Sequence, residues 1–450
     1  MNLKKNFQLY GFEQISTSSF EFLDNVVDSN NDGEGFPVND IFFFNNLGEN
    51  ESVKSKNENS TIALRPDLTK SLARYCAKNY INLSKPFKRF QVGTVWRDEV
   101  KPNTKGRFRE FIQIDSDIVG TKNLNADADM VILLADTLQK CRLNKEDYVV
   151  KLSNRKLVLG LLNSLNIYDN DKRLAVIRTC DKFFRLGKSS IIELLKDSNL
   201  NEKQIKKILE FLESKSFEDV KKISKDSLFI EGIKELEDII RIINLSSYSD
   251  RIIFSSSLMR GNEYYTSTIF EANLITKTKK GEKIELEYSV GGGGRYDRLV
   301  EKYTEDSYPG VGISIGLSRI LFYISQLKEK PKLENKSPIV ICVFDNNLMP
   351  NYKKILDVLR SANINSEIYY GDGNIKSQMK YADWRNSPAV LLYGENEAKL
   401  GTVTIKNLNA GKKSSEKIKV RKDWKSNESA QSTVKLENLL DEIKKIIKNN

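Results

Sequence analysis

Two groups of strand-like segments flank a long helical stretch, and this division constrains the fold more than any other feature of the sequence. Phe87–Val95 and Phe108–Val119 have strand character, and a polar loop broken by Pro and Gly joins them, which predicts an antiparallel hairpin with a long tip. From about residue 157 to residue 245, apolar residues recur at helical spacing, Lys is dense and Gly is scarce. Strand-like segments return between Arg251 and Val290. The sequence therefore predicts a strand-rich domain that a helical insertion interrupts.

A stretch rich in Lys, Glu and Pro near residue 330 separates a last domain from the rest. Beyond it, short apolar strands alternate with two helical segments, Tyr352–Ala362 and Ile375–Trp384, which predicts a small α/β domain with a mostly parallel sheet. The predicted parts are the first portion of the main domain, the helical insertion, the second portion, a linker and the α/β domain, at residues 1–150, 151–248, 249–326, 327–337 and 338–450.

No histidine occurs among the 450 residues, so every triad, dyad or metal site that needs an imidazole of the chain is excluded. Lys and Arg total 72 against 61 for Asp and Glu, and the net charge of +11 suits a polyanionic partner such as nucleic acid. The four cysteines are far apart, which is typical of a reducing compartment. The chain shows neither a secretory signal nor a membrane-spanning run, so the sequence predicts a cytoplasmic protein without membrane contact.

Arginine is scarcer than lysine, and it occurs in four polar contexts near glycines. These contexts are Arg97 beside Glu99, Arg107 with Arg109, Arg260 before Gly261, and Arg319 after Gly316. A guanidinium presents paired donors that suit phosphate and carboxylate, so several converging arginines would bind a nucleotide triphosphate. The alternative is four separate surface ion pairs, each contributing about 0–1 kcal/mol.

Neither glycine-rich segment matches a phosphate-binding loop. Gly291–Gly294 lacks the glycine that the dinucleotide pattern requires at Tyr296, and the Gly187-Lys188-Ser189 segment has Lys182 where a P-loop needs its first glycine. The glycines of the run are instead expected to let two backbones approach closely, or to let a ligand reach the floor of a sheet.

Six motifs follow one another along nearly the whole chain. They are Ala63-Leu64-Arg65-Pro66-Asp67-Leu68-Thr69, Val95-Trp96-Arg97-Asp98-Glu99, the segment from Lys105 to Asp117, Arg260-Gly261-Asn262-Glu263-Tyr264-Tyr265-Thr266, Gly293-Gly294-Arg295-Tyr296-Asp297, and Gly312-Ile313-Ser314-Ile315-Gly316-Leu317-Ser318-Arg319. In this order and spacing the chain resembles the histidyl-tRNA synthetases, a family of class II aminoacyl-tRNA synthetases. Asp67 and Asp117 stand where many bacterial members have Glu, which resembles an alphaproteobacterial or eukaryote-like branch.

The resemblance implies an α+β fold with an antiparallel six-stranded catalytic sheet flanked by helices, a helical insertion, and a C-terminal α/β anticodon-binding domain. It also implies the activity of a histidine–tRNA ligase, which activates L-histidine with ATP and transfers it to tRNA(His). Mg²⁺ is expected to accompany ATP, although the resemblance assigns it no ligands. A homodimer is expected as well, although the first motif lacks the proline that the family carries near Ser18.

The resemblance also implies the roles of particular residues. The expected catalytic residues are Arg97, Arg260 and Arg319. The expected ATP-binding residues are Arg97, Glu99, Arg107, Phe111 and Arg319, with Phe111 stacking on adenine. The expected histidine-binding residues are Asp67, Thr69, Arg97, Gln113, Asp117, Arg260, Tyr264 and Tyr265, of which Asp117 and Tyr265 would hydrogen-bond the imidazole.

Several alternatives remain open on the sequence alone. Asp67 is equally suited to cap a helix that starts at Leu68, Asp117 to pair with a lysine at a strand edge, and Tyr264 and Tyr265 to fill a core. At the level of the whole chain, the alternatives are a non-catalytic synthetase paralogue that binds histidine as a regulatory subunit, and a class II synthetase for another amino acid.

Overall fold

The computed structural model divides the chain into two compact units, Met1–Lys330 and Pro331–Asn450. The residues that it describes are 3–27, 38–44, 61–99, 106–214, 216–259, 265–277, 283–298, 300–301, 303–304, 307–326, 337–410 and 431–448.

The strands and helices of the first unit interleave along the chain. Its strands are β1 (Glu13–Gln14), β2 (Phe20–Phe22), β3 (Phe43–Phe44), β4 (Ile62–Leu64), β5 (Phe87–Trp96), β6 (Glu110–Val119), β7 (Tyr148–Asn154), β8 (Ile252–Phe254), β9 (Thr268–Lys277), β10 (Lys283–Tyr296) and β11 (Gly310–Gly316). Its α-helices are α1 (Leu3–Leu9), α2 (Leu23–Val26), α3 (Thr69–Asn79), α4 (Asn125–Lys140), α5 (Arg155–Ser164), α6 (Asn170–Cys180), α7 (Phe183–Asp197), α8 (Glu202–Leu212), α9 (Phe217–Val220), α10 (Ser227–Ile243) and α11 (Leu317–Gln326).

A large sheet forms the centre of the first unit. In the described part of the chain its strand order is β1-β5-β6-β11-β10-β9-β7-β8. The six inner strands from β5 to β7 pair antiparallel throughout, which confirms the predicted six-stranded antiparallel sheet. The short strands β1 and β8 extend it at the two edges by parallel pairing; β8 lies in the strand-like segment predicted to begin at Arg251, whereas β1 was not predicted.

The predicted hairpin is formed by β5 and β6, which pair from Phe87 opposite Val119 to Trp96 opposite Glu110. Its tip at residues 100–105 lies outside the described residues. On the far side, α4 packs against the sheet with Leu133, Leu134 and Leu138 fully buried. Burial of each such side chain contributes about 1.5–3 kcal/mol. The hydrophobic core between α4 and the sheet therefore holds the sheet rigid.

Six helices, α5 to α10, occupy the stretch in which the sequence predicted a helical insertion. The helix α8 begins where its sequence indicates, because Asn201 and Gln204 cap each other in a reciprocal capping box. The buried side chains of these helices join the same hydrophobic cluster as those of the main sheet. Whether residues 151–248 form a domain of their own stays a prediction.

A small sheet with the order β2-β4-β3 lies within the first unit. Because paired residues share a face, Phe22, Ile62 and Phe44 form one row across it, and Phe20 lies on the same face. These four side chains are exposed, whereas Glu21 and Ala63, on the opposite face, are buried.

The second unit contains a sheet of its own. Its strands are β12 (Ile339–Ile341), β13 (Ser366–Ile368), β14 (Ala389–Leu392), β15 (Thr402–Asn407) and β16 (Gln431–Lys435), and its α-helices are α12 (Met349–Ser361), α13 (Ile375–Trp384), α14 (Glu395–Leu400) and α15 (Leu439–Lys448). The order of the described strands is β13-β12-β14-β15-β16. Only the pairs of β12 with β13 and β14 are parallel, so the expectation of a mostly parallel sheet was too strong. None of the helices in the described ranges is both long enough and apolar enough to cross a bilayer.

Candidate active site

A cleft of about 220 Å³ opens on one face of the large sheet. It lies over β6, β10 and β11, and nine of the residues predicted from the sequence line it. They are Asp67, Thr69, Arg97, Glu99, Phe111, Gln113, Asp117, Tyr265 and Arg319. These side chains come from segments up to about 250 residues apart in sequence (from 67 to 319), and the sheet brings them together.

Glycines form the floor of the cleft because no larger residue fits there. Gly312 lies opposite Asp117 in the sheet, and a Cβ atom on it would collide with the Asp117 carboxylate. A Cβ atom on Gly294 would lie 2.7 Å from the Tyr265 ring. The glycine run therefore makes room for polar side chains above the sheet, and at Gly293, where a Cβ atom would collide with the Gly312 carbonyl, it lets two backbones approach closely. That a ligand reaches the floor stays a prediction.

Two arginines of the cleft are oriented by backbone carbonyls. Arg97 donates from Nε to the carbonyl of Pro66 at 2.9 Å, and its guanidinium lies 5.2 Å from the centre of the Phe111 ring. Arg319 donates from Nη1 to the carbonyl of Ser289 at 2.6 Å. A guanidinium presents paired donors that suit an anion, and Phe111 offers a flat apolar face beside that of Arg97.

Arg107 lies at the edge of this arrangement. It is half exposed and contacts Glu99 through an ion pair of 3.2 Å, but it is not among the residues that line the cleft. Its predicted contact with ATP stays a prediction, and Glu99 stands between it and the cleft.

A second region of the cleft is a network of buried carboxylates and their donors. Asp115 accepts hydrogen bonds from Gln113 Nε2 at 2.8 Å and from Thr69 Oγ1 at 3.2 Å. Burial raises the pKa of Asp115 above its usual value. Gln113 also donates to Ser314 of β11. The network fixes Thr69 and Gln113 at the wall of the cleft.

The structure is compatible with both roles that the sequence left open for Asp67, helix capping and ligand binding. Its Oδ1 accepts a hydrogen bond from the backbone N–H of Lys70 at 3.1 Å, as a helix-capping group does, although α3 begins at Thr69. The residue also lines the cleft and is only 6% exposed. A carboxylate there can cap the helix and still face a ligand.

Asp117 is 1% exposed and lies at the deepest part of the cleft. Its Oδ1 accepts a hydrogen bond from the Tyr296 hydroxyl at 2.6 Å, and its Oδ2 lies 2.6 Å from Arg89 Nη2. Burial raises the pKa of Asp117 to about 6, and Arg89 opposes the rise. The pairing partner that the alternative assigned to Asp117 was a lysine, whereas the structure shows an arginine. Tyr265 is buried and lines the same cleft.

The amino-acid sequence matches the family model of histidyl-tRNA synthetase over residues 1–320 and the model of an anticodon binding domain over residues 338–446. The histidine–tRNA ligase of Pelagibacter ubique is 37% identical over 99% of this chain and 93% of that protein. That of Caulobacter vibrioides is 35% identical over 98% of this chain and 91% of that protein.

The chain belongs to the histidyl-tRNA synthetase family.

Solved structures agree with this membership. A histidyl-tRNA synthetase from Nostoc sp. PCC 7120 has a TM-score of 0.77 at 26% identity, covering 99% of this chain and 94% of that one. An ATP phosphoribosyltransferase regulatory subunit/histidyl-tRNA synthetase from Bacillus halodurans C has a TM-score of 0.67 at 16% identity, covering 84% of this chain and 90% of that one, and this likeness concerns the fold alone. The family, the fold class and the enzyme class predicted from the sequence are confirmed.

The structure does not describe two residues of the family motifs. Arg260 and Tyr264, predicted to bind histidine and, for Arg260, to act in catalysis, fall outside the described residues. The roles that the family resemblance implies for them stay predictions.

Three residues of this synthetase site were missed in the sequence, namely Arg89, Asp115 and Tyr296. A signal for Asp115 existed, because Gln113, Asp115 and Asp117 alternate along a strand and so share one face. Tyr296 lies in the Gly-Gly-Arg-Tyr-Asp motif, but nothing in the sequence distinguished its hydroxyl from that of a core tyrosine. Arg89 was a single charge within an apolar strand, and only the strand register reveals its partner.

Proposed function

We propose that this chain is a histidine–tRNA ligase that forms histidyl-adenylate from L-histidine and ATP and then transfers the histidyl group to tRNA(His). The observation that carries the proposal is the convergence in one cleft of two oriented arginines with a buried set of carboxylates, an amide and a phenol. Family membership over both units supports it. The region of Arg97 and Arg319 suits phosphates, and the region of Asp117 and Tyr265 suits a small group with two polar nitrogens.

The chemistry needs no nucleophile from the protein. A carboxylate oxygen of histidine attacks the α-phosphorus of ATP, the bond to the bridging oxygen breaks, and pyrophosphate leaves. A ribose hydroxyl of the tRNA end then attacks the acyl carbon, and AMP leaves. The protein has to hold two anions against each other and to stabilise the charge that develops, which arginines do well in a chain without histidine.

The proposed roles are those that the family resemblance implies, and the shared cleft supports them. Arg97 binds the α-phosphate and the substrate carboxylate, with Phe111 stacked on adenine beside it and Glu99 at the adenine edge. Arg319 binds the γ-phosphate. Arg260 acts at the α-phosphate by resemblance alone.

The histidine substrate would occupy the carboxylate region. Asp67, Thr69 and Gln113 surround the place for its α-amino group, and Asp117 and Tyr265 each bind one ring nitrogen. A buried polar pocket discriminates strongly, because a side chain of the wrong chemistry leaves its groups unpaired.

Magnesium is expected as the companion of ATP. Within the described ranges, no cluster of three or more Asp, Glu or Cys side chains could hold a metal ion. Mg²⁺ commonly binds through substrate phosphates with few protein ligands, so it would enter with the nucleotide and neutralise phosphate charge.

The exposed face of the small β2-β4-β3 sheet supports the expected homodimer. Three phenylalanines and one isoleucine lie together on it, and a soluble protein seldom leaves such a patch uncovered. The chain before β2 is held by Arg65, which donates to the carbonyls of Thr17 and Ser18 at 2.8 and 3.0 Å. This clamp orders the segment in which the family proline is absent. A second copy of the chain is the proposed occupant, because a twofold axis would place the same apolar row on itself.

The second unit offers a surface for tRNA. Along α13, Lys376, Lys380 and Trp384 follow one another at intervals of four residues, so they share a face, and all three are exposed. Cations and an exposed aromatic ring suit phosphates and unstacked bases. Gln378 is buried and binds the backbone of Val343, so it positions the helix and does not read RNA. A cytoplasmic location, as expected from the sequence, is part of the proposal.

A single assay tests the proposed activity. ATP–pyrophosphate exchange should depend on histidine among the amino acids, and Arg260→Ala should lower it by about 10²–10³ because one preorganised donor is lost. Arg241→Ala, at an exposed arginine of α10 paired with Asp238, is the matched control and should leave exchange unchanged. Exchange with another amino acid would indicate another synthetase, and histidine binding without exchange would indicate the regulatory paralogue.

A further inference from the structure

A fully buried arginine lies directly behind the deepest part of the cleft. Arg89 of β5 stands opposite Asp117 of β6 in the strand register, with Nη2 at 2.6 Å from Asp117 Oδ2. Within the described residues none of its three guanidinium nitrogens has a hydrogen-bond partner of good geometry. Burial of a charge is costly without a counter-charge, so the ion pair with Asp117 is what balances Arg89.

The contacts of Asp117 leave acceptor capacity toward the cleft. Its Oδ1 accepts from Tyr296, and its Oδ2 faces Arg89. An ionised carboxylate has about four lone-pair directions, so two partners do not saturate it. Burial raises the pKa of Tyr296 well above the ordinary value, and the phenol therefore stays a donor to Asp117. The carboxylate is thus held from two sides and open to a donor on the third.

Several charged or titratable groups face Asp117 from the elements packed against it. They are Arg89 of β5, Asp115 of β6, Tyr296 of β10, Asp67 just before α3 and Cys76 within α3. Of these five groups, Arg89 alone is a cation. Burial and the neighbouring carboxylates favour a proton on Asp117, and Arg89 favours the charged form.

We propose that Arg89 is a positioning residue, which keeps Asp117 ionised and oriented so that it accepts the N–H of the substrate imidazole. A protonated Asp117 would turn one of its oxygens into a donor and would accept less strongly through the other, so it would hold the imidazole N–H less well. This inference deepens the proposed function and rests on it.

The test is the pH dependence of the KM for histidine in ATP–pyrophosphate exchange. Arg89→Met keeps the length of the side chain and removes its charge, so the pKa of Asp117 should rise by about one unit or more. At about pH 7 the KM for histidine should then increase about twofold if this pKa rises by about one unit and about tenfold if it rises by about two, and it should recover toward about pH 8.5 as Asp117 ionises. The KM for ATP should stay within about twofold, and Arg89→Lys should restore most of the affinity at about pH 7.

The controls separate this role from a structural one. The substrate imidazole itself titrates at about pH 6.5. The diagnostic signal is therefore a break in the pH profile of the KM for histidine that moves upward from that pH range. Arg251→Met removes another buried arginine, beside β8 at the sheet edge, and should not move the break. In the double variant Arg89→Met, Asp117→Asn neither charge is present, so the KM for histidine should be high and should show no break above about pH 7.

The outcomes are distinct. Wild-type protein without histidine-dependent exchange would overturn the proposed function. Wild-type exchange together with an Arg89→Met profile that is weakened equally at every pH would overturn the positioning role alone. If Arg89→Met does not fold, the double variant decides, because a break above about pH 7 that persists without Asp117 would show that this carboxylate is not its source.

Discussion

At the scale of single residues, the cleft concentrates charge that the fold has removed from water. Asp67, Asp115 and Asp117 are 6%, 1% and 1% exposed, and each has a defined donor. A buried ion pair such as that of Arg89 and Asp117 adds little net stability, but removal of one partner costs about 3–5 kcal/mol because the other charge is left alone. Net stability therefore does not account for the arrangement, whereas the proposed binding of a polar ligand does.

The glycine beneath Asp117 is predicted to be as necessary as the carboxylate. In Gly312→Ala the new Cβ would collide with the Asp117 carboxylate and lie 3.3 Å from the carbonyl of Ser116, so Asp117 would have to move. Forced packing of this kind costs about 1–3 kcal/mol, and the KM for histidine should rise by about tenfold or more with little change in the KM for ATP. Exchange kinetics with each substrate varied in turn would measure this.

Gly394→Ala is the matched control for that substitution. Its Cβ would lie 3.4 Å from the flexible end of Glu397, in the second unit, and exchange should be unaffected. Equal losses for histidine and ATP in Gly312→Ala, or none, would contradict the position assigned to the imidazole.

The sequence motifs identified most of the cleft lining, but not the role of Tyr296, which also lines it, nor Arg89 behind it. Arg97, Gln113 and Asp117 were predicted because each belongs to a motif with a recognisable order. Arg89 and Tyr296 act through partners on other strands, 28 and 179 residues away from them in the chain (117 − 89 and 296 − 117). Their contacts depend on strand register and on the space left by Gly310 and Gly312, and neither can be read from one strand alone.

At the scale of elements, the sequence predicts best those strands in which apolar and polar residues alternate and which end at turn or loop residues. The β5–β6 hairpin was predicted because ten-residue strands bracket a polar loop, and both strands form with a regular register. Of the two edge strands, β1 has two residues and gives no periodic signal, whereas β8 lies within a predicted strand-like segment and only its pairing was not predicted. Their positions come from tertiary pairing with β5 and β7. The sequence predicted neither β15 nor β16, and their antiparallel pairing makes the second sheet a mixed one.

The small sheet β2-β4-β3 is predicted to mediate self-association. Phe22→Lys places a charge in its exposed apolar row, where a second copy would have to bury it. The dimer should become weaker by at least about tenfold in Kd, as sedimentation velocity over a concentration series would show. Leu245→Lys changes another exposed apolar residue, which is 87% exposed outside this sheet, and should leave the assembly unchanged. A wild-type chain that sediments as a monomer, or a Phe22→Lys variant that still sediments as a dimer, would remove this face as the interface.

At the scale of the whole molecule, the two units divide the proposed reaction. The cleft with its arginines and carboxylates belongs entirely to the first unit, and the described residues of α13 belong to the second. Adenylate formation needs only small molecules, whereas transfer needs a bound tRNA. Changes in the second unit should therefore affect transfer and leave activation intact, and the net charge of +11 should make tRNA binding sensitive to salt.

Lys376→Ala, Lys380→Ala tests this division. Loss of two phosphate contacts should raise the KM for tRNA in aminoacylation several-fold and reduce the slope of log affinity against log salt by about one to two. ATP–pyrophosphate exchange should not change, because both lysines lie outside the unit that contains the cleft. Lys444→Ala, Lys448→Ala on α15 removes the same charge from the same unit at exposed positions, and should alter the salt slope less. If the two double variants weaken tRNA binding equally, the effect is one of overall charge, and α13 is not a specific contact. If the α13 variant alone does so while exchange is preserved, the exposed face with Lys376, Lys380 and Trp384 is where the second unit meets RNA.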